Sequence, residues 1–302
     1  MQTKALLCLL MLLLLAAGCA EMTAMTDIGS QIAVATGQLT EDQAAALKKT
    51  SQAVEKAFTD ITIEQEYFIG RAVAAEIVNR YRPLDRQAAN TYLNLVGQAL
   101  ARVSDMPETF GGYHFLLLDS DEINAFAAPG GLVFVSRGLL RCCPDEDALA
   151  AVLAHEVGHV QAKHGLQAIK KSRLTDALTI IGTESARQFG GAELAQLTTA
   201  FEGSIADVTS TLVNNGYSRT YEYQADQIAV ELLRRLGYDP AAMALMLRKM
   251  QGRLAGDSRG FARTHPSPAE RLEKVLDNPL VNQKHHIVSA RQMRFSRALK
   301  GI

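Results

Sequence analysis

Leu149-Ala-Ala-Val-Leu-Ala-His155-Glu156-Val-Gly-His159-Val-Gln-Ala-Lys-His164 is the stretch of this chain that decides its fold. It predicts an apolar helix that carries two histidines four residues apart. Residues at this spacing lie on one face of a helix about one turn apart, so the imidazoles of His155 and His159 can converge on one ion. Glu156 is turned by roughly 100° around the axis, where it can reach a water at that ion but cannot be a third ligand in the same plane.

The same five-residue pattern also occurs in helices that bind no metal, where a histidine is often only a hydrogen-bonded core residue. The residues before it, Ala150 to Ala154, are small and apolar and would bury this helix. Burial of two histidines and a glutamate is costly unless something satisfies their polar groups. A metal ion would do so, and the sequence therefore favours a zinc site over a plain core helix.

The composition gives no sign of a partner recruited by charge. The chain has 302 residues, and its 31 basic and 32 acidic residues leave a formal net charge of −1. This balance points neither to nucleic acid nor to an acidic membrane surface. A hydrophobic content of 48% and only 8 prolines indicate a helix-rich globular protein large enough for one substantial domain.

The N-terminus has the features of a targeting segment. Lys4 precedes an apolar run from Ala5 to Ala17, which is too short for an ordinary membrane span. Leu15-Ala-Ala-Gly18-Cys19 resembles a bacterial lipobox, although the leucine stands one residue farther from the cysteine than usual. We expect Cys19 to carry lipid that holds the protein to a membrane, and Ala20 after it favours the outer membrane. A cleaved signal peptide with an incidental cysteine is the alternative.

The other cysteines predict no disulfide. Cys8 lies in the segment that would be removed, which leaves Cys142 and Cys143. Neighbouring cysteines bridge each other only with strain, because a disulfide requires their Cα atoms to be farther apart than adjacent positions usually allow. We expect both thiols to act as small apolar filler just before the metal-binding helix.

The fold class predicted is α+β and predominantly α. Helical spacing of apolar residues indicates helices from Ile63 to Tyr81 and from Asp85 to Val103. Three β segments then predict a small antiparallel sheet of about three strands: Tyr113 to Leu118, Ile123 to Ala127 and Leu132 to Val135, with Pro129-Gly130-Gly131 as a turn. An exposed strand here could pair with an extended peptide, and a plain structural hairpin is the alternative.

The acidic segment Pro144-Asp-Glu-Asp147 marks the start of the metal-binding helix, where the helix dipole favours negative charge. After His164 the chain predicts a helical hairpin over residues 168–213 that turns at Gly190-Gly191. It is interrupted by charged residues throughout, so it does not predict a transmembrane pair. The hairpin could be part of the core or a lid over the cleft.

A third metal ligand is expected on a later helix. The helix from Tyr217 to Leu236, ended by Gly237, carries Glu222 and Asp226 four residues apart. Glu222 can complete a site of two histidines and one glutamate, and Asp226 can accept the N–H of a zinc-binding histidine. Taken alone, such a pair is more typical of a solvated helix face, since exposed acidic pairs are common. Other glutamates compete for the ligand role: Glu184, Glu193, Glu202 and Glu231.

Several segments together resemble one family. In chain order they are His155-Glu-Val-Gly-His159, Ser218-Arg-Thr-Tyr-Glu222-Tyr-Gln-Ala-Asp226, Gly237-Tyr-Asp-Pro240 and Thr264-His265-Pro-Ser-Pro-Ala-Glu-Arg271-Leu. Residues 64 to 280 thereby resemble metallopeptidase family forty-eight, which contains the HtpX heat-shock proteases, the CAAX prenyl proteases and the mitochondrial Oma-type proteases. Within that family the chain is similar to the soluble periplasmic lipoprotein members.

The resemblance implies a gluzincin-type fold with one zinc ion per chain. It implies His155, His159 and Glu222 as the zinc ligands and Glu156 as the general base. Asp226 and Arg271 are expected behind the ligands.

Two further histidines, His265 and His164, are expected to have other roles. The resemblance places His265 in the cleft near the reacting carbonyl, where it could stabilise the oxyanion with help from Tyr223 or Arg271, or move in as a fourth ligand of a latent state. His164 misses by one residue the position at which a metzincin has its third histidine, so we expect it to be a supporting residue and not a ligand.

The sequence thus predicts a lipoprotein signal peptide over 1–18, a lipidated tether with some helix over 19–60, a zinc metallopeptidase domain over 61–280 and a C-terminal tail over 281–302. We expect a zinc endopeptidase on the periplasmic side of the bacterial cell envelope, lipid-anchored and acting on misfolded or stalled envelope polypeptides. The alternative is a non-catalytic zinc lipoprotein that assists outer-membrane protein assembly. A hydrolase with a different metal and a non-peptide substrate is a third possibility. The oligomeric state is not predicted.

Overall fold

The computed structural model describes residues 62–167, 209–254, 265–282 and 288–302. Several predictions lie outside these ranges. They concern the leader with Cys8 and Cys19, the tether, most of the helical hairpin, and the competing ligands Glu184, Glu193 and Glu202.

The helices and strands that the sequence predicted occur in the predicted order where the structure describes them, and further helices accompany them. The helices are α1 (Ile63–Arg80), α2 (Gln87–Arg102), α3 (Arg137–Leu140), α4 (Glu146–Gln161), α5 (Arg219–Leu236), α6 (Ala241–Leu254), α7 (Pro268–Val275) and α8 (Ser289–Ala298). The strands are β1 (His114–Leu118), β2 (Ala125–Ala128) and β3 (Leu132–Ser136). The α+β fold class with mostly helical content is confirmed.

Side-chain caps set the ends of the two helices that matter most for function. The Asp145 carboxylate accepts a hydrogen bond from the backbone N–H of Ala148 at 2.9 Å and begins α4. The Ser218 hydroxyl accepts from the N–H of Tyr221 and begins α5. Gly237 ends α5 in the left-handed conformation, with φ of 78°, as its position in the sequence predicted.

The sheet is mixed and not antiparallel as predicted. β3 lies between the other two strands, antiparallel to β2 and parallel to β1. The turn at Pro129–Gly131, in which Gly130 has φ of 76°, makes the β2–β3 hairpin that the sequence indicated. A turn fixes only the pair of strands that it joins. The place of β1 depends on packing against α2, which the turn residues do not encode.

Helix α4 lies at the centre of the core. All of its residues from Glu146 to Val160 are buried, because α2, α5, α6, α8 and β2 pack around it. The thiols of Cys142 and Cys143 are buried just before it, and neither forms a disulfide. None of the helices in the described parts of the chain is both long and apolar enough to cross a membrane.

The segment expected to be a polar tail contains helix α8, which packs against the start of α4. Glu146 is fully buried there and accepts hydrogen bonds from Tyr92 at 2.5 Å and Tyr238 at 2.8 Å. Arg294 of α8 donates to both oxygens of this carboxylate. Burial opposes ionisation of Glu146, but these hydrogen bonds outweigh it and lower the pKa of the carboxyl group.

The contact between α4 and α5 depends on Gly158. A Cβ atom at this position would lie 3.0 Å from the carbonyl oxygen of Ala225 and 3.3 Å from its Cα. These distances are shorter than ordinary van der Waals contact, so a side chain at this position would push the two backbones apart by a few tenths of an ångström. Gly158 is the residue directly before His159, so this contact lies beside the two histidines that the sequence predicted to bind a metal.

We expect Gly158→Ala to separate the two helices and to weaken the fold. Alanine has a higher helix propensity than glycine by about 1 kcal/mol, but overpacking a core contact costs about 1–3 kcal/mol. The matched control is Gly252→Ala on α6, where an added Cβ meets nothing within 4 Å. The free energy of unfolding, measured with urea, should rise in the control and stay level or fall in Gly158→Ala. Equal stabilisation of both variants would contradict the close contact.

Candidate metal centre

Four buried side chains bring possible ligand atoms together. They are His155 and His159 from α4, Glu222 from α5, and His265, which lies three residues before α7. One ligand atom from each lies within 4.8 Å of all the others. The structure thus brings together the three predicted zinc ligands and the predicted cleft histidine, although they are up to 110 residues apart in the sequence.

The distances between the donor atoms fit a tetrahedral ion. His155 Nε2 lies 3.0 Å from His159 Nε2, and Glu222 oxygens lie 3.4 Å from each of these nitrogens. Ligands about 2.1 Å from a tetrahedral zinc ion are separated by roughly 3.4 Å. Two imidazoles and one carboxylate at these separations fit zinc in both geometry and ligand chemistry.

Asp226 and Arg271 lie behind the first ligand. Asp226 Oδ1 is 2.8 Å from His155 Nδ1, and Arg271 donates two hydrogen bonds to the Asp226 carboxylate at 2.6 and 3.0 Å. The guanidinium also lies 3.6 Å from Glu222. Because Nε2 of His155 points toward the other possible ligand atoms, its proton lies on Nδ1, and the Nδ1–H donates a hydrogen bond to Asp226. Arg271 lies 3.2 Å from the same nitrogen. A guanidinium can only donate hydrogen bonds, so Arg271 donates to Asp226 and not to this protonated nitrogen.

The two α4 histidines have opposite affinities for a proton. Burial and Arg271 oppose protonation of His155, but Asp226 and Glu222 outweigh them and raise its pKa to about 9. Burial lowers the pKa of His159 to about 3. The metal-free cluster therefore favours one positive charge next to Glu222.

Glu156 lines an apolar cavity together with His155, His265 and Arg271. The rest of the wall is apolar: Ala125, Leu139, Ala151, Val152, Met243, Met246, Leu247 and Met250. Burial in this surrounding raises the pKa of Glu156. A carboxylate with a raised pKa is a better proton acceptor than an exposed glutamate, which suits the predicted role of general base.

His265 is oriented by Glu222. Its Nδ1 lies 2.9 Å from both carboxylate oxygens of that residue, so the Nδ1–H donates to them. Burial opposes ionisation of Glu222, but the charge of His265 and the hydrogen bonds from the three histidines hold its pKa well below the usual range. The carboxylate is thus anionic, as a metal ligand must be.

Two other side chains of ligand type lie away from the cluster. Glu231 is near the surface of α5, where it pairs with Arg234 and Arg235. His114 is exposed and hydrogen-bonds with the carbonyl of Gly111.

One contact of the site was not predicted. The ring of Tyr217 stacks on His159 with centroids 4.3 Å apart, and its hydroxyl donates to the carbonyl of Ala127 at 3.1 Å. This hydrogen bond takes up one backbone carbonyl of β2, an edge strand of the sheet whose four residues are buried. Pairing of an edge strand with a peptide stays a prediction. The position of Tyr217 has no signal in residue spacing, because it precedes the regular helix α5.

His164, which was expected to be a supporting residue and not a ligand, has its Nδ1 2.9 Å from His159 Nδ1.

The chain matches the model of Peptidase family M48 over residues 87–278, which is more than half of its length. The matched region contains all of the residues of the cluster.

Individual relatives carry names of metallopeptidases. The "Beta-barrel assembly-enhancing protease" of Yersinia pestis is 30% identical over 250 residues, which cover 78% of this chain and 48% of the relative. The "Mitochondrial metalloendopeptidase OMA1" of Schizosaccharomyces pombe is 29% identical over 228 residues, or 72% of this chain and 62% of the relative. "Metalloprotease LoiP" of Escherichia coli is 29% identical over 156 residues, covering 52% of this chain and 58% of the relative. The chain spans about half the length of the first of these relatives.

We expect zinc to stabilise the folded protein through this cluster. A ligand that binds only the folded state at 100 times its Kd adds about 2.7 kcal/mol to the free energy of unfolding. Zinc added to chelator-treated protein should therefore raise the unfolding midpoint, as measured by thermal or urea denaturation. Glu222→Gln should lose most of this increase, because the amide cannot supply the anionic oxygen.

The control for this experiment is His114→Gln, which changes an exposed histidine outside the cluster. It should respond to zinc as the wild type does. A wild-type protein that zinc does not stabilise, or a Glu222→Gln variant stabilised as strongly as the wild type, would contradict the assignment.

Proposed function

Because the chain belongs to Peptidase family M48, we propose that it is a zinc-dependent endopeptidase of the bacterial cell envelope. The observation that carries the proposal is the spacing of three buried donor atoms at the corners of a tetrahedral site. A buried glutamate follows the first ligand directly in the sequence. A structural zinc site is closed by four protein ligands, whereas three ligands beside a general base are typical of a hydrolase.

His155, His159 and Glu222 would hold the zinc, which supplies Lewis acidity that polarises the scissile carbonyl and makes water acidic near neutral pH. Glu156 accepts the proton of the attacking water and afterwards gives it to the leaving amine. Its raised pKa brings it closer to neutral pH, where transfer in both directions is efficient. Asp226 and Arg271 fix the orientation of His155 during these steps.

His265 fits both of the roles expected for it. It lines the cavity beside Glu156, where it can donate a hydrogen bond to the oxyanion that forms on the substrate carbonyl. It also belongs to the group of possible ligands, so it can occupy a fourth position on the metal and hold the site in a latent state. Arg271 is committed to Asp226 by two hydrogen bonds, which favours His265 over Arg271 as the oxyanion donor.

The names of the relatives support a substrate class. A protein named for enhancing β-barrel assembly is a relative over more than three quarters of this chain. We propose that the substrates are polypeptides of the envelope that are misfolded or stalled during assembly.

The predicted lipobox supports a lipid anchor at Cys19, on the periplasmic side of the outer membrane. We expect the wild-type chain, produced in a Gram-negative bacterium, to fractionate with membranes and to incorporate a labelled fatty acid. Cys19→Ser should lose the label and the membrane association. The control Cys8→Ser should retain both. Fatty-acid label that persists in Cys19→Ser would contradict the anchor.

Glu156→Gln tests the enzymatic role directly. The amide keeps the size of the side chain but cannot accept a proton, so cleavage of an unfolded protein such as casein should fall by about 10²- to 10⁴-fold. Zinc content, measured by atomic absorption, should remain that of the wild type.

The matched control is Glu64→Gln, which changes an exposed glutamate in the first turn of α1 and should leave cleavage unchanged. A Glu156→Gln variant that cleaves at the wild-type rate would exclude the proposed base. A wild-type protein that retains zinc but cleaves no polypeptide would instead favour the assembly-factor alternative.

A further inference from the structure

The two metal-binding histidines of α4 are supported from behind in different ways. His155 Nδ1 faces the carboxylate of Asp226, which is the common arrangement for a zinc-binding histidine. His159 Nδ1 faces another imidazole, that of His164, at 2.9 Å. His164 is fully buried, and its own Nε2 lies 3.2 Å from the side-chain oxygen of Gln224.

We propose that His164 is a positioning residue that fixes the tautomer and orientation of His159. This inference rests on the proposed zinc site, because its first step is that His159 binds the metal through Nε2.

The direction of each hydrogen bond then follows from proton counting. His159 Nε2 faces the other possible ligand atoms. A nitrogen that binds a metal carries no proton, so the neutral ring of His159 has its proton on Nδ1. That proton is donated to His164 Nδ1, which must be unprotonated to accept it. The neutral ring of His164 consequently carries its proton on Nε2, which donates to the oxygen of Gln224. One arrangement of protons satisfies the whole chain from Gln224 to His159.

The backbone is bent to make this contact possible. In a continuous helix, residues five apart differ by roughly 140° around the axis and cannot meet. Helix α4 ends at Gln161, and Lys163 then takes a left-handed conformation with φ of 54°. It is the single non-glycine residue with positive φ in the described parts of the chain. This turn returns His164 to the face of α4 that carries His159.

Aromatic packing holds the ring of His164 in place. Tyr221 stacks on it with centroids 4.5 Å apart and an angle of 10° between the planes. A buried histidine that served only to fill space would need this stacking but would not need its nitrogens aligned with two polar partners. The alignment at both nitrogens is what indicates a positioning role.

The test compares His164→Leu with His164→Asn in the full chain. Leucine and asparagine have nearly the same shape, so both remove the stacked ring equally, but only asparagine keeps a hydrogen-bond acceptor near the Nδ1 position. Loss of an outer-shell partner typically costs about 10- to 100-fold in metal affinity. The rate of zinc release to a chromophoric chelator should rise by about this factor in His164→Leu. The asparagine variant should stay closer to the wild type than to the leucine variant.

A second measurement uses the wild-type protein alone and does not depend on whether a variant folds. Long-range ¹H–¹⁵N NMR spectra of the zinc-loaded, histidine-labelled chain report which ring nitrogen carries each proton. We expect His159 to be protonated at Nδ1 and His164 at Nε2. A proton on Nδ1 of His164 would overturn the inference.

The outcomes separate this inference from the proposed function. A wild-type chain that binds no zinc would overturn both. A chain that binds zinc through His155, His159 and Glu222 but releases it at the same rate in His164→Leu would overturn the role of His164 alone. Equal acceleration in the leucine and asparagine variants would show that the ring contributes through stacking and not through its nitrogen, and would also overturn it.

Discussion

The close approach of α4 and α5 at Gly158 is the constraint on which the rest of the structure depends. One helix carries two imidazoles and the other carries a carboxylate, and the donor atoms must meet within a few ångströms for a metal to bind. A helix pair packed through ordinary side chains is separated by about 8–10 Å between axes. The absence of a side chain at position 158 brings the Ala225 backbone against α4. The packing of α4 against α5 and the geometry of the proposed metal site therefore depend on the same contact.

Charge is the second requirement, since α4 is buried along its whole length. Glu156, Glu222 and Asp226 place three carboxylates in the core around the site, and Arg271 is a buried cation beside them. Unpaired charges in such a place would be strongly destabilising. Arg271 neutralises Asp226, and the remaining negative charge is best matched by a divalent ion. A metal ion in the proposed site would therefore contribute to the stability of the core as well as to chemistry.

The sequence predicted the parts of this arrangement that depend on local periodicity. Spacing gave the faces of α4 and α5, and caps such as Gly237 gave their ends. The resemblance to a family gave Glu222 among several candidate glutamates. The parallel pairing of β1, the stacking of Tyr217 on His159 and the packing of α8 on Glu146 were not predicted. Each of these contacts joins residues that are distant in the sequence, and no repeat or residue spacing indicates such a contact.

The attachment of α8 has a consequence for synthesis. Arg294 is 148 residues beyond the glutamate that it neutralises, and Glu222 and Arg271 also follow α4 by long intervals. A chain synthesised from its N-terminus contains His155 and Glu156 before any of these partners has been made. The proposed metal site is therefore completed last. This order of synthesis keeps the site incomplete in an unfinished polypeptide.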